Sequence, residues 1–198
     1  MKNKAILWLC SISLLLATAS CDVMKQMGGA YNMTQCNYSY RSLSNLNISG
    51  MDVSKGVSLS WLPSITGILS GTAKSVPLKF TLNLDVENPN QSAAMLHGLQ
   101  YILSIDNVDF TNGTIDRSLN IPGGASQAMP LDIGFDIAEL LRGESKDAVV
   151  SIVRNFIGIG DKASNVTFRI KPTFMIGTVP VTSPSYIPVT FAFGGKKN

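Results

Sequence analysis

The chain has 198 residues, 45% of them hydrophobic and only 15% charged, with 16 Lys+Arg, 13 Asp+Glu and a formal net charge of +3. That composition excludes a disordered tail protein, which needs low hydrophobicity and strong net charge. Lys and Arg are scattered singly and form no phosphate-neutralising stripe, so no nucleic acid is expected among the partners.

Residues 1–20 read MKNKAILWLCSISLLLATAS. Two lysines, Lys2 and Lys4, precede an apolar run from Ala5 to Leu16, and small residues Ala17 to Ser20 follow. This is the order of a secretory signal. A transmembrane helix is the competing reading, but the apolar run is shorter than the ~20 residues a bilayer requires. Thr18-Ala19-Ser20-Cys21 resembles the lipobox of bacterial lipoproteins, in which the cysteine receives lipid and becomes the new N-terminus. Thr18 stands where the usual box has Leu. The alternative is an ordinary signal cleaved near Ser20, leaving Cys21 as an exposed reactive thiol.

Cysteine usage agrees with lipidation. Of three cysteines, Cys10 leaves with the signal and Cys21 is acylated, so Cys36 has no intramolecular partner. Without acylation, a Cys21–Cys36 bridge is the one alternative. A zinc site would need four clustered Cys or His ligands, so no metal and no cofactor is expected. Losing Lys2 and Lys4 leaves 14 basic side chains against 13 acidic. Anchoring must therefore rest on several acyl chains rather than on a polybasic patch.

Residues 21–36 are rich in Met and Gly, with Asn32 among them, show no periodicity and read as a tether. The rest, 37–194, reads as one domain, with 195–198 a frayed tail. Phe80, Leu82, Leu84 and Val86 alternate with polar residues, the mark of a strand with one buried face. Asn88-Pro89-Asn90 is a turn, at which Pro89 stops the ladder. Leu99, Tyr101, Leu103 and Ile105 form the next face, and Asn112-Gly113 signals a hairpin turn. Ile115, Leu119 and Ile121 follow, ending at Pro122-Gly123-Gly124. Met129, Leu131, Ile133, Phe135 and Ile137 alternate against Asp132, Gly134 and Asp136. Later, Val166, Phe168 and Ile170 make one face, Phe174 and Ile176 another, and Ile187, Val189, Phe191 and Phe193 a last. About seven short strands separated by turn signals predict an antiparallel β-sandwich.

Two segments have helical spacing. Trp61, Leu62, Ile65, Ile68 and Leu69 repeat before Gly71, with Pro63 in the first turn. Ile137, Leu140, Leu141, Ala148, Val149, Ile152, Val153 and Phe156 predict an amphipathic helix, interrupted near Gly143, over an end or edge of the sandwich. Neither polar face carries the Lys/Arg excess of a membrane-lying helix, so both are read as core covers.

The stretch Phe80 to Leu141 carries a resemblance. An alternating strand runs into Asn88-Pro89-Asn90, and Tyr101 follows in a second strand some ten residues on. This order resembles the type 2 late-embryogenesis-abundant family, whose core is the water stress and hypersensitive response (WHy) domain, over about a third of the chain. The resemblance implies an immunoglobulin- or fibronectin-like antiparallel sandwich with a helix, often secreted or lipid-anchored in bacteria. It implies stress or desiccation protection without a catalytic site. Asn88, Pro89, Asn90 and Tyr101 are carried over as fold determinants: the asparagines bond local backbone and Pro89 fixes φ.

Few groups could carry a reaction. His97 is the only histidine and has no nucleophile beside it with an orienting acid; it reads as a solvated loop residue. Cys36 could pair with His97 but reads as a buried, inert thiol. Asp132 and Asp136 lie about 13 Å apart on an extended strand, too far for shared glycosidase or calcium chemistry. Asp106 and Asp109 flank a turn. Gly123-Gly124 and Gly158-Ile159-Gly160 lack the partners of phosphate loops, and Trp61 reads as core filler. The sequence thus points to a non-enzymatic bacterial lipoprotein held on the envelope through Cys21, with the outer membrane ahead of the inner. The expected partner is an envelope protein or glycan, and the alternative role is a surface module capturing glycan or peptide.

Overall fold

The computed structural model describes residues 22–55, 58–142 and 146–195. The signal segment and Cys21 lie outside the described residues, as do Gly143 and residues 196–198 of the tail. Helix α1 runs over residues 22–34 and leads into strand β1 (Asn37–Ile48) and the short β2 (Met51–Asp52). Helix α2 (Leu62–Leu69) follows, then β3 (Pro77–Glu87), β4 (Ala94–Leu96), β5 (Gly98–Ile105), β6 (Val108–Ile115), β7 (Leu119–Ile121) and β8 (Ser126–Asp136). Helix α3 (Lys146–Phe156) precedes β9 (Ala163–Ile176), β10 (Val179–Thr182) and β11 (Ile187–Gly194).

These strands form the expected antiparallel β-sandwich with packed helices. One sheet has the order β2-β1-β3-β8; the other has β10-β9-β5-β6, with β11 also paired to β9. A two-stranded sheet joins β4 to β7. Along β3 the predicted face Phe80, Leu82, Leu84 and Val86 is buried, with Lys79 and Glu87 exposed opposite. Met129, Leu131 and Ile133 of β8 meet that core beside Leu99, Leu103 and Phe168 of the other sheet. Aromatic pairs close the two flanks. Tyr40 of β1 stacks on Phe191 of β11 with ring centroids 3.9 Å apart, and Phe110 of β6 meets Phe135 of β8 edge-on at 6.4 Å.

Both predicted helices are present. Pro63 sits in the first turn of α2, where its missing N–H is no loss. Ile65 and Ile68 are buried, Trp61 packs partly buried against the core, and Leu62 stays exposed. The later segment divides into a 3-10 turn at Leu140–Arg142 and α3, which buries Val149, Ile152, Val153 and Phe156. Phe156 lies 6.1 Å from Phe80 and 5.1 Å from Phe193, so α3 touches both sheets at one open end.

The structure corrects three readings. Residues 22–34 are a helix, and its last turn belongs to the core, with Met33 0% exposed. The helix packs through Gly29 onto Met95 of β4, where an added Cβ would come within 2.8 Å of the Met95 side chain. Local pattern gave no sign of this because the inward face mixes Gly29, Ala30 and Asn32 with Met33 and makes no apolar stripe. Second, Asn112-Gly113 is not a turn: it lies inside β6, opposite Ile102 and Tyr101. The hairpin turns instead at Asp106-Asn107, with φ of 48° and 66°, the left-handed pair a two-residue turn requires. Third, the two faces assigned around Phe168 and Phe174 are one, on the single 14-residue strand β9. Lys171-Pro172 falls where the neighbouring strand changes from β11, which pairs up to Ile170, to β10, which starts at Thr173. The strand therefore runs through a proline that would interrupt a continuous ladder.

Candidate functional site

The Asn88-Pro89-Asn90 turn leaves β3 and carries a dense hydrogen-bonded polar cluster. Asn88 is 0% exposed. Its Nδ2 donates to the carbonyls of Ser92 (2.9 Å), Ile121 (3.0 Å) and Pro122 (3.1 Å). Its Oδ1 accepts from the Asn90 backbone N–H at 3.1 Å and from Asn90 Nδ2 at 2.9 Å. The opposing Pro122-Gly123-Gly124 turn closes on it, the Gly124 N–H donating to the carbonyls of Asn88 and Asn90 at 3.0 Å. Only glycine fits at 123, because a Cβ would stand 2.3 Å from the Gln91 carbonyl oxygen.

The cluster reaches α1 through a residue that local pattern did not single out. Asn90 Nδ2 donates to the Asn32 carbonyl at 3.2 Å. Asn32 Nδ2 returns to Ser92 Oγ at 2.7 Å and to the Ala93 carbonyl at 3.0 Å. Three asparagines thus tie together α1, the β3–β4 connection and the β7–β8 turn. Their polar atoms are spent on backbone and on one another, which makes the motif a fold clamp. Tyr101 has the same character. Its ring is buried, stacks on Phe168 at 5.3 Å and covers Gly113, whose Cβ would come 3.0 Å from Tyr101 Cε1 and Oη. Burial raises its phenol, and a hydrogen bond with Thr111 opposes the shift.

The candidate chemical groups stand as follows. Cys36 is buried, its Sγ 3.4 Å from the Asn32 carbonyl, and burial lifts the thiol to about 11. Tyr38 beside it donates to the Met33 carbonyl at 2.9 Å, and burial raises its phenol too. His97 is exposed, its backbone N–H bound to the Thr173 carbonyl. Each carboxylate of the two pairs serves the fold. Asp132 accepts from Thr81 Oγ1 at 2.6 Å, and Asp136 accepts from the N–H groups of Val76 (2.9 Å) and Ala138 (2.8 Å). Asp106 accepts from the Asn165 N–H at 2.8 Å. Asp109 lies 2.5 Å from Ser104 Oγ and 2.6 Å from Arg169 Nη2; these bonds, that of Ser104 first, lower its pKa. Among the described residues no group of three His, Cys, Asp or Glu side chains could hold a metal ion.

One of the concave surfaces among the described residues is lined by several polar side chains. The outer face of β1, β3 and β8 holds an open groove of about 610 Å³. It lies where β1 bulges between Ser44 and Asn47, with Asn45 at φ 54°. A polar ladder crosses it from Asn45 Nδ2 to Thr81 Oγ1 (3.1 Å) and on to Asp132 (2.6 Å), with Asn47 and Lys79 at its wall. No periodicity announces this groove, because a bulge is an irregularity of pairing.

No family model matches the chain, and no curated protein matches it. Among solved structures, similarity extends to a protein from Archaeoglobus fulgidus, 15% identical, covering 79% of this chain and 100% of that one with a TM-score of 0.38. A solution structure of a protein from Arabidopsis thaliana is 12% identical over 81% of this chain and 83% of that one, with a TM-score of 0.44. A solution structure described as a candidate late embryogenesis abundant (LEA) protein is 16% identical over 94% and 86%, with a TM-score of 0.40.

Proposed function

We propose that this chain is a non-catalytic, lipid-anchored protein of the bacterial cell envelope, a WHy-like sandwich that binds or shields other envelope components under water stress. The observation that carries the reading is the asparagine clamp. Of the residues that the resemblance to type 2 late-embryogenesis-abundant proteins singles out, Asn88, Asn90 and Tyr101 are engaged in holding backbone and ring contacts, and Pro89 stands in the turn between the two asparagines. The non-catalytic part is supported by a thiol that burial keeps protonated and by a histidine standing alone at the surface. The anchor rests on the signal-like segment and on Cys21 after Thr18-Ala19-Ser20, with the outer membrane ahead of the inner as its site.

The test is in-cell crosslinking of a tagged full chain, then capture and mass spectrometry beside Cys21→Ala. One envelope partner recovered in near-equal amount only with the anchored form supports a dedicated binding role. Scattered abundant proteins would favour passive shielding, and a deletion strain that dries and rehydrates as well as its parent would then reject protection.

The β1–β3–β8 groove favours a second reading, capture of a glycan. Asn45, Asn47, Lys79, Thr81 and Asp132 present amide, ammonium, hydroxyl and carboxylate groups suited to polyol hydroxyls. Titration with envelope polysaccharide fragments, repeated with Asp132→Ala, checks it. Equal affinity of the two chains would remove this reading.

A further inference from the structure

One end of the molecule carries an exposed apolar surface that the sandwich does not use. On α1, Met24 is 69% exposed, Met27 51% and Tyr31 66%. Spacings of three and four residues place them along one helical stripe. The opposite side of α1 faces inward through Gly29, Ala30, Asn32 and Met33. The β9–β10 turn lies beside this helix, because the Gly177 N–H donates to Gln26 Oε1 at 2.6 Å. From that turn β10 carries Val179 (59% exposed) and Val181 (40%), two apart on one strand face. Five large apolar side chains are thus left in water on two joined elements, an arrangement that marks a docking surface.

Charge narrows what covers it. The chain has no Asp or Glu from Val23 to Met51, from Asn88 to Ile105, or from Lys162 to Asn198. The segments forming this end, α1 after Asp22, β4 and the β9–β10 hairpin from Thr173, therefore carry no carboxylate of their own, Asp116 stands beside Gly98 just past β4, and Lys25 on α1 is basic. Such a surface suits a layer of phosphate headgroups over acyl chains. The chain itself brings that layer close: Cys21 directly precedes α1, and the apolar run Ala5–Leu16 lies before it. An acyl group on Cys21 holds the first turn of α1 within a few residues of the bilayer.

We propose that this end lies on the membrane, with Met24, Met27 and Tyr31 of α1 and Val179 and Val181 of β10 entering the boundary between headgroups and acyl chains, and Lys25 beside lipid phosphate. The inference rests on the anchoring reading and adds an orientation to it. A lipid anchor alone leaves the domain free to tumble, whereas a second contact fixes which face it turns to the periplasm or to solvent. The opposite end of β9, at Ala163, then points away from the bilayer, about 40 Å along the strand.

The test uses the full chain, purified from bacterial membranes and reconstituted in phosphatidylethanolamine/phosphatidylglycerol vesicles. Met27→Cys, Val179→Cys and Lys162→Cys are each labelled with an environment-sensitive fluorophore. The wild-type chain taken through the same labelling gives the background. All three positions are exposed. The expected result is flotation with the vesicles, blue-shifted emission at 27 and 179, and quenching by shallow spin-labelled lipid about threefold stronger there than at 162. Flotation with equal quenching at all three positions overturns the orientation and leaves the anchor standing. Blue-shifted emission at 27 and 179 without lipid quenching overturns it in favour of a second copy covering the surface. Failure to float overturns the anchoring reading, and the orientation falls with it.

Discussion

Asn88 shows how one side chain can organise three connections. Its amide donates to three carbonyls, of which that of Ile121 is buried, and its oxygen holds the Asn90 N–H, so Asn88→Ala strips a partner from each of them. A buried polar group left unpaired costs about 1–3 kcal/mol, and the loss here is expected at about 3 kcal/mol by denaturant unfolding. Asn90→Ala, at a more exposed position, should cost about 1 kcal/mol. Equal stabilities would mean the clamp is incidental. Cys36 gives a pH signature. Burial raises its pKa from 9.0 to about 11, so the folded state keeps a proton that the unfolded chain has already released. This contribution is intact below the unfolded value and is withdrawn as pH rises through the folded one. The expected outcome is falling stability between about pH 9 and 11 and negligible thiol labelling at pH 8 without denaturant. Labelling of Cys36 at the rate of an unfolded thiol would contradict its burial.

Among the elements, α1 departs furthest from its sequence reading. Met33 fills core space, and the asparagine cluster ties the same turn to the β3–β4 connection. Met33→Ala should therefore destabilise the domain by about 2–4 kcal/mol, the usual range for a large-to-small core change. A tether residue would show no measurable change in melting temperature. Strand β3 supplies the central sheet position, with β1 and β8 on its two sides. Leu84→Asp would bury an unpaired charge between the sheets, and loss of the cooperative unfolding transition is expected. The pairing of Tyr101 with Gly113 belongs to this scale as well, because it fixes how β5 and β6 face each other. Gly113→Val should cost about 1–3 kcal/mol through overpacking against the ring.

For the whole molecule the deciding contacts join the two sheets: Tyr40 with Phe191, Phe110 with Phe135, and Phe156 between Phe80 and Phe193. They close both flanks and one end. No helix among the described residues is long and apolar enough to cross a membrane, so helical spanning by these residues plays no part in the proposed attachment. Cys21→Ala is expected to move the protein from the membrane fraction to the soluble one, read by fractionation and immunoblot. A variant that still pellets with membranes would reject lipid anchoring.

What the sequence determined by itself is what depends on local pattern. Alternation marked the buried face of β3 and most of β8, because period 2 sorts side chains onto opposite sides whatever the partner strand. Pro63 and Gly71 bracketed α2 because one fixes φ and the other sits at φ 74° in the C-terminal turn. The Asn-Pro-Asn motif was legible as a structural turn. Tertiary structure decided the rest. Asn112-Gly113 looks like a hairpin turn in isolation, yet Gly113 lies in a strand because the Tyr101 ring needs its space. Pro172 looks like a break, yet β9 continues through it where its neighbour changes from β11 to β10. Gly29 and Asn32 look like part of a tether and pack into the fold because Met95 meets the one and Ser92 and Asn90 the other. The groove beside the β1 bulge is equally invisible in one dimension. Each of these depends on a partner distant in sequence, and only close packing specifies which side chains occupy the same space.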